Sequence, residues 1–383
     1  MNKKLGIYIH VPFCKRKCAY CDFYSVTDSA LMPEYIDKLL NDIAESGDIT
    51  YGYEADTVYF GGGTPSLIDP GDIYRIISAI DKSVHISPGA EITSEANPVV
   101  ASGDGDRIKK YFDSLSAAGV NRVSLGMQSA SDSELETLGR LHRNTDTLRA
   151  VQAVRSSGIK ELSLDLMYAL PYQTLERWMN SVNAALGMHP EHLSMYALTL
   201  SDSVPMASAK YDYPSDDIQR EMYLSAVKAA GDAGLTQYEI SNFAQPGHEN
   251  RHNLKYWRRD DYLGFGPGAH SFMNGSRFHA EPDIRGYING GGQRIYDAVS
   301  MKPSEAAEEY IMLSLRTTEG LKFEKLAEII CDRAEFEEKR IRILLSAKKF
   351  ASLGLCAVCS AEDGISFTPE GFFVSNSMIA ELI

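Results

Sequence analysis

The chain has 383 residues, enough for one large α/β domain and a smaller second one. Its apolar fraction of 44% and charged fraction of 23% are ordinary for a globular protein. A formal net charge of −14 argues against a broad basic face for nucleic acid, so we expect no nucleic-acid partner.

The amino-terminal stretch MNKKLGIYIHVPFC places two lysines before a short apolar run. A secretory signal needs a longer apolar run and a small-residue cleavage site, whereas Pro12 and Phe13 stand here. No segment reaches the ~18 apolar residues of a membrane span. We therefore expect a buried first strand and a cytoplasmic protein, in which thiols stay reduced.

Strand-like runs alternate with amphipathic helices over residues 5–198. The runs are LGIYIHV, ADTVYF, AEITSEA, NRVSLGM, ELSLDLMY and HLSMYAL, spaced as in β/α units. Between them apolar residues recur at helical spacing, for example Ile36, Leu39, Leu40 and Ile43. Six such units predict a parallel sheet, either open or curled into a partial barrel.

Polar residues on two of the strands favour the barrel. Ser124, Gly126 and Gln128 share one face of their strand, and Ser163 and Asp165 share one face of theirs. A polar face indicates an inward-looking cavity rather than a dry sheet covered on both sides. We therefore predict an α/β fold with a partial (β/α)6 barrel over residues 1–240.

The β/α rhythm ends near residue 240. Residues 241–300, rich in Gly, His and aromatic residues, are predicted to connect the barrel to a smaller, mainly helical domain at 301–383. That domain is expected to contain helices near 304–315, 323–332 and 334–352 and two strands around 355–368, like a winged helix. Because the chain is acidic, a docking or lid role is favoured over DNA binding.

Three cysteines, Cys14, Cys18 and Cys21, lie close together after the first strand. A structural zinc site closes its shell with four ligands, whereas three thiolates suit a [4Fe–4S] cluster with one iron open to an exchangeable ligand. An incomplete zinc site that borrows a distant His is the alternative. Cys356 and Cys359 are interpreted as ordinary buried thiols.

The stretch TVYFGGGTPS, residues 57–66, continues the second strand into three glycines. Because Gly61, Gly62 and Gly63 have no Cβ, a ligand can approach the backbone closely there. The glycines are expected at the carboxyl end of the strand, on the same side of the barrel as the cysteine loop.

YIHVPFCKRKCAYCDF, FGGGTPS, SEANP, LGMQS and DLMYALP occur in this order, and with them the chain resembles the radical S-adenosylmethionine (radical SAM) superfamily, in its coproporphyrinogen-dehydrogenase-like branch. The resemblance implies that Cys14, Cys18 and Cys21 ligate a [4Fe–4S] cluster and that S-adenosylmethionine completes the fourth iron. It also implies that the following residues contact S-adenosylmethionine: Tyr8, Tyr20, Gly62, Gly63, Thr64, Glu95, Gln128, Arg140 and Asp165. Ala169 of DLMYALP stands where a Gly is more usual.

Two activities are open within this branch. The oxygen-independent coproporphyrinogen III dehydrogenases of porphyrin biosynthesis carry a further cysteine where this chain has Phe23, and an extension before the first strand, which starts here almost at residue 1. Both departures favour similarity to the HemW-type haem chaperones, with the dehydrogenase as the alternative. In a third interpretation, cluster and cofactor serve a binding protein without radical chemistry.

The segment RHNLKYW resembles the His-Asn-x-x-Tyr-Trp motif of the HemW branch through His252, Asn253, Tyr256 and Trp257. His252 could ligate haem iron and the two aromatic rings offer flat surfaces for a porphyrin, whereas the alternative is a loop that only packs. His270 in GPGAHSF is the second-choice ligand. The implied partners are haem or a porphyrin and a haem-accepting protein, with a homodimer and membrane contact through the acceptor left open.

Overall fold

The structure is a computed structural model that describes residues 2–99, 105–291, 294–359 and 362–383. Its first part consists of six β/α units. The strands of these units are β1 (Lys3–Val11), β2 (Tyr53–Gly62), β3 (Ile86–Ala96), β4 (Arg122–Gln128), β5 (Glu161–Tyr168) and β6 (His192–Ala197). The helices are α1 (Met32–Ala44), α2 (Pro70–Val84), α3 (Gly105–Ala117), α4 (Asp132–Thr137), α5 (Asn144–Arg155), α6 (Leu175–Leu186) and α7 (Asp216–Asp232).

Strands β1 to β6 lie side by side in sequence order and run parallel. The helices bury one apolar face each. In α1 that face includes Ile36, Leu39 and Ile43, and in α2 it includes Ile73 and Ile76. The strong periodicity of these segments is sufficient to form helices that cover a parallel sheet. The predicted alternation of strands and helices is confirmed.

The segment after residue 235 extends this sheet on both edges. The added elements are β7 (Thr236–Gln237), β8 (Asn242–Ala244), α8 (Arg251–Arg258), β9 (Tyr262–Phe265), β10 (His270–Met273), β11 (Ser276–Ala280), α9 (Ile284–Gly286) and β12 (Arg294–Ser300). The twelve strands have the order β12-β11-β10-β9-β1-β2-β3-β4-β5-β6-β8-β7. The described residues of the segment 241–300, which was predicted to connect two domains, thus contribute strands to the sheet.

The turn GFGPG between β9 and β10 brings the added strands against the barrel. Gly266 has a φ of 95°, and a Cβ at this position would lie 2.6 Å from the carbonyl oxygen of His10. Gly268 has a φ of 82° and lies against Tyr24. Only glycine accommodates both the positive φ and the close approach at Gly266. The hairpin β10–β11 is thereby held beside the loop that follows β1.

The carboxyl-terminal part contains the helices and strands predicted for a winged-helix-like domain. It contains α10 (Pro303–Ser314), β13 (Leu321–Lys322), α11 (Phe323–Ile330), α12 (Arg333–Ser352), β14 (Cys356–Val358), β15 (Gly364–Phe367), α13 (Pro369–Phe373) and α14 (Ser375–Leu382). The strand order is β13-β15-β14, so one strand and two helices are added to the predicted set. Nowhere in the described ranges is a helix both long and apolar enough to cross a bilayer.

Candidate functional site

A cavity of about 1050 Å³ opens at the carboxyl ends of the barrel strands. The polar strand faces noted in the sequence all contribute to its wall, through Ser124, Gly126, Gln128, Ser163 and Asp165. Function in β/α barrels is located at this end of the strands, because the loops that follow them converge there. The inward-looking cavity expected from the strand polarity is therefore present.

The cysteine loop forms one end of this cavity. Cys14, Cys18 and Cys21 are free, partly buried thiols, and Cys21 lines the cavity. The Thr64 hydroxyl donates to Sγ of Cys14 at 3.4 Å, and Nη1 of Arg140 donates to Sγ of Cys18 at 3.7 Å. Burial raises the pKa of the Cys21 thiol, and the nearby Cys18 and Cys14 raise it further.

The positions of these thiols are compatible with a [4Fe–4S] cluster. Within the described part of the chain, no three His, Cys, Asp or Glu side chains surround a common point at which one metal ion could be held. In a [4Fe–4S] cluster each cysteine binds a different iron, so the sulfur atoms need not meet at one centre. The zinc alternative gains no fourth ligand from the structure.

The predicted glycine turn lines the cavity but is also required by the packing of the chain itself. A Cβ on Gly62 would lie 2.6 Å from the His10 ring, and one on Gly63 would lie 2.6 Å from the carbonyl oxygen of Phe13. The Gly63 amide donates to the carbonyl of Val11 at 2.8 Å, so that amide is not available to a ligand. The packing of the chain is thus a second reason for glycine here, beside the predicted close approach of a ligand.

Two buried carboxyl groups stand in the cavity wall. Glu95 accepts a hydrogen bond from the Tyr59 hydroxyl at 2.9 Å, and burial raises its pKa to about 7. Asp165 accepts from the Ser124 hydroxyl at 2.9 Å, and burial raises its pKa to about 6. Carboxyl groups that change charge near neutral pH can bind both hydroxyl groups and a cationic amine.

Arg140 links the cluster loop to the barrel wall, although it lies beyond the end of its strand in sequence. Its Nη2 donates to the carbonyl of Gly126 at 3.0 Å, next to the contact with Cys18. Its Nε has no hydrogen-bond partner in the described residues. Tyr20 also lines the cavity, and burial raises its pKa to about 12. An unpartnered buried N–H donor is suited to the carboxylate of a ligand.

The HNxxYW segment forms α8, which divides its residues between two environments. Asn253 and Tyr256 line the cavity, but His252 is fully buried behind them. Nδ1 of His252 is hydrogen-bonded to the Thr57 hydroxyl and Nε2 to the Tyr256 hydroxyl, both at 2.8 Å. Trp257 packs into a separate apolar cluster. Neither His252 nor Trp257, both predicted to contact haem, is among the residues that line the cavity.

Several cavity residues were not found from the sequence, and His279 is the most informative. His270 on β10 and His279 on β11 both line the cavity, with ring centroids 5.1 Å apart. Burial and the neighbouring His279 lower the pKa of His270. The Asn274-Gly275 dipeptide between the strands is a hairpin signal that would have fixed this pairing.

Comparisons with known proteins indicate the family of the chain. A model of the Radical SAM superfamily matches residues 8–185. The heme chaperone HemW of Escherichia coli is 38% identical over 268 residues, which cover 70% of this chain and 69% of that protein. The heme chaperone HemW of Synechocystis sp. is 32% identical over 406 residues, with 98% and 95% covered.

A solved structure shows the same fold over the whole chain. Coproporphyrinogen III oxidase (HemN) of Escherichia coli, a radical SAM enzyme, matches with a TM-score of 0.83 at 20% identity, covering 100% of this chain and 90% of that one. The partial barrel with a smaller carboxyl-terminal part is thereby confirmed. Taken with the sequence identities, the chain belongs to the radical SAM superfamily and, within it, to the family of the HemW heme chaperones.

Proposed function

We propose that the protein is a haem chaperone that binds haem at the barrel cavity and transfers it to an acceptor protein. The observation that carries this proposal is the similarity to HemW heme chaperones over nearly the whole chain, 98% of it for the Synechocystis protein. The match to HemN is at 20% identity and supports the fold alone. The dehydrogenase alternative is therefore less supported.

We assign two ligands to the cavity, which is large for a small-molecule site. Its volume of about 1050 Å³ reaches the upper end of the ~300–1,000 Å³ that a single small-molecule site occupies. The cysteine loop and the buried carboxyl groups of Glu95 and Asp165 line the inner part of the cavity. The exposed side chain of His270 lies at its rim. S-adenosylmethionine would occupy the inner part and haem the rim.

At the inner end, Cys14, Cys18 and Cys21 would hold the [4Fe–4S] cluster. With S-adenosylmethionine bound, such a cluster supplies an electron for reductive cleavage of the cofactor. Arg140 would hold the cysteine loop in place through Cys18 and offer its free Nε to the cofactor carboxylate. Glu95 would accept hydrogen bonds from the amine or hydroxyl groups of the cofactor, which a buried, partly ionised carboxyl can do.

The remaining predicted contacts of S-adenosylmethionine have positions that fit this assignment. Tyr8, Tyr20, Gly62, Gly63, Thr64, Gln128 and Asp165 all line the cavity. For haem, Asn253 and Tyr256 of α8 line the same cavity. His252 would act indirectly, because its hydrogen bond fixes the hydroxyl of Tyr256.

The cellular setting is proposed on chemical grounds. Clustered free thiols are typical of a reducing compartment, and we place the protein in the cytoplasm. We treat residues 1–240 as the barrel and 301–383 as a separate module, available for docking to an acceptor. We also propose that the protein can form a homodimer and can contact a membrane through the acceptor.

A haem titration tests the function. The protein, with its cluster reconstituted anaerobically, is titrated with haem while the Soret band is recorded, and is then mixed with a haem-free globin as a general acceptor. We expect saturation at one haem per chain, followed by transfer to the globin. In parallel, coproporphyrinogen III with S-adenosylmethionine and a reductant should give no protoporphyrinogen. Failure to bind haem, or turnover of coproporphyrinogen, would overturn the proposal.

A further inference from the structure

Four histidines line the cavity, and they fall into two classes by their hydrogen bonds. His10 donates from Nε2 to the carbonyl oxygen of Tyr24 at 2.9 Å and accepts at Nδ1 from the Tyr8 hydroxyl at 3.1 Å. His192 is likewise bonded through both ring nitrogens, to hydroxyl groups at 2.7 and 2.8 Å. Neither ring can give a nitrogen lone pair to a metal without breaking a buried hydrogen bond.

The other two histidines form a pair at the rim. His270 and His279 are direct partners across the antiparallel strands β10 and β11. Their rings are stacked, with centroids 5.1 Å apart and an interplanar angle of 21°. Among the described residues no hydrogen bond is made by either ring, and His270 is exposed. Their nitrogens can therefore be redirected to a ligand without loss of a buried hydrogen bond.

The hairpin that carries the pair is held rigidly. Asn274 and Gly275 form its two-residue turn with φ angles of 51° and 77°, which match the twist of the strands. The Gly264 amide donates to the Ser271 hydroxyl at 2.9 Å, which fixes β10 to β9. A metal ligand is most effective when its supporting elements do not move.

We propose that the His270–His279 pair is the site at which haem iron is ligated, with one imidazole of the pair as the axial ligand. This inference rests on the proposed function and replaces His252 as the ligand. A neutral imidazole is the usual proximal ligand of haem iron. The same cavity is lined by Tyr24, Gly268, Ala280 and Pro282, which offer the macrocycle an aromatic ring and small apolar groups.

The geometry of the pair also suits a transient cargo. Because both rings stand on the same face of one hairpin, they can reach only one side of a porphyrin. The opposite axial position is then open to a ligand from the acceptor protein. One-sided ligation near an exposed rim allows the iron to be captured by a second protein before the chaperone releases it.

A matched pair of variants tests the assignment. His270→Asn with His279→Asn removes the two rim imidazoles. The control, His85→Asn with His189→Asn, removes two exposed imidazoles at positive-φ positions that asparagine tolerates. Both variants are reconstituted with the cluster and titrated with haem, and iron content and circular dichroism verify that they are folded. Should the rim variant not fold, the single variant His270→Gln is titrated in its place.

We expect the rim variant to bind haem about tenfold or more weakly, with the Soret and visible bands of histidine-ligated haem lost, and the control to match the wild type. Wild-type affinity and an unchanged spectrum in the rim variant would overturn the assignment while the chaperone function stands. If the wild type itself binds no haem, both the proposed chaperone function and this inference are refuted.

Discussion

Replacement of His252 by Ala distinguishes a stabilising residue from an iron ligand. The imidazole holds two buried hydroxyl groups, those of Thr57 and Tyr256, each at 2.8 Å. A buried polar group left without its partner costs about 1–3 kcal/mol, so the free energy of unfolding should fall by about 2–6 kcal/mol. Urea denaturation of the apoprotein measures this loss as a lower midpoint at an unchanged slope.

The pH dependence gives a second measure of the same burial. Desolvation lowers the pKa of His252 to about 3, whereas the unfolded chain has the ordinary value of 6.5. Below pH 6.5 the unfolded state binds a proton that the folded state rejects, so this contribution to stability is complete above pH 6.5 and is lost as pH falls toward 3. His252→Ala should therefore reduce the acid slope of the unfolding free energy.

The control for both measurements is His85→Asn, at an exposed position, which should change the unfolding free energy by less than about 0.5 kcal/mol. The reasoning would be refuted if His252→Ala kept the wild-type urea midpoint and lost haem binding. That result would mean that the imidazole leaves its buried position to reach the iron. A stable variant with normal haem binding would show that the hydrogen bonds contribute little.

Three further predictions concern the cluster, the cofactor and the carboxyl-terminal junction. Cys21→Ser should bring the iron content of the reconstituted protein to background. The control Cys356→Ser, in β14 of the carboxyl-terminal part, should leave the iron content unchanged. Normal iron content in Cys21→Ser would refute the cluster assignment. Arg140→Met should weaken S-adenosylmethionine binding about tenfold in an EPR titration of the reduced cluster, and an unchanged affinity would exclude a cofactor contact. Burial raises the pKa of Glu239 to about 8 from 4.5, so the folded state keeps a proton that the unfolded state releases. The unfolding free energy should therefore decrease between pH 4.5 and 8, by up to ~5 kcal/mol, and Glu239→Gln should flatten this dependence in urea denaturation.

The barrel was predictable because its signals are local and strong. Each helix between the six strands has an apolar stripe, and each strand has a run of apolar or alternating residues. The polar face of Ser163 and Asp165 on β5 even indicated the inward cavity. Local periodicity decides such elements without knowledge of what packs against them.

The strands β9 to β11 were not predicted because they are four or five residues long and contain Gly, His and Arg in place of apolar runs. Their stability comes from pairing with a sheet that already exists, as β9 does with β1. Ala169 was singled out in the sequence, and the structure gives the reason. Its φ is 60°, and Gly is more usual at that position because the left-handed region favours a residue without a Cβ.

The burial of His252 could not be predicted from its motif, because it depends on a tertiary contact. Helix α8 packs against β2, where the Thr57 hydroxyl meets the imidazole. With both ring nitrogens hydrogen-bonded and no exposed surface, His252 contributes to the packing of α8 on β2. The same motif still serves the cavity, because the ring of Tyr256 is positioned by that histidine.

His270 and His279 belong to no histidine motif, yet both line the cavity. The Asn274-Gly275 turn, which our sequence analysis did not use, would have placed them opposite one another, since a two-residue hairpin fixes the register of its strands. What the sequence could not show is that these rings, unlike those of His10 and His192, have no hydrogen-bond partner in the described structure. Freedom of the ring nitrogens, rather than the presence of a histidine in a motif, is the property that iron ligation requires, and in this cavity it belongs to the rim pair.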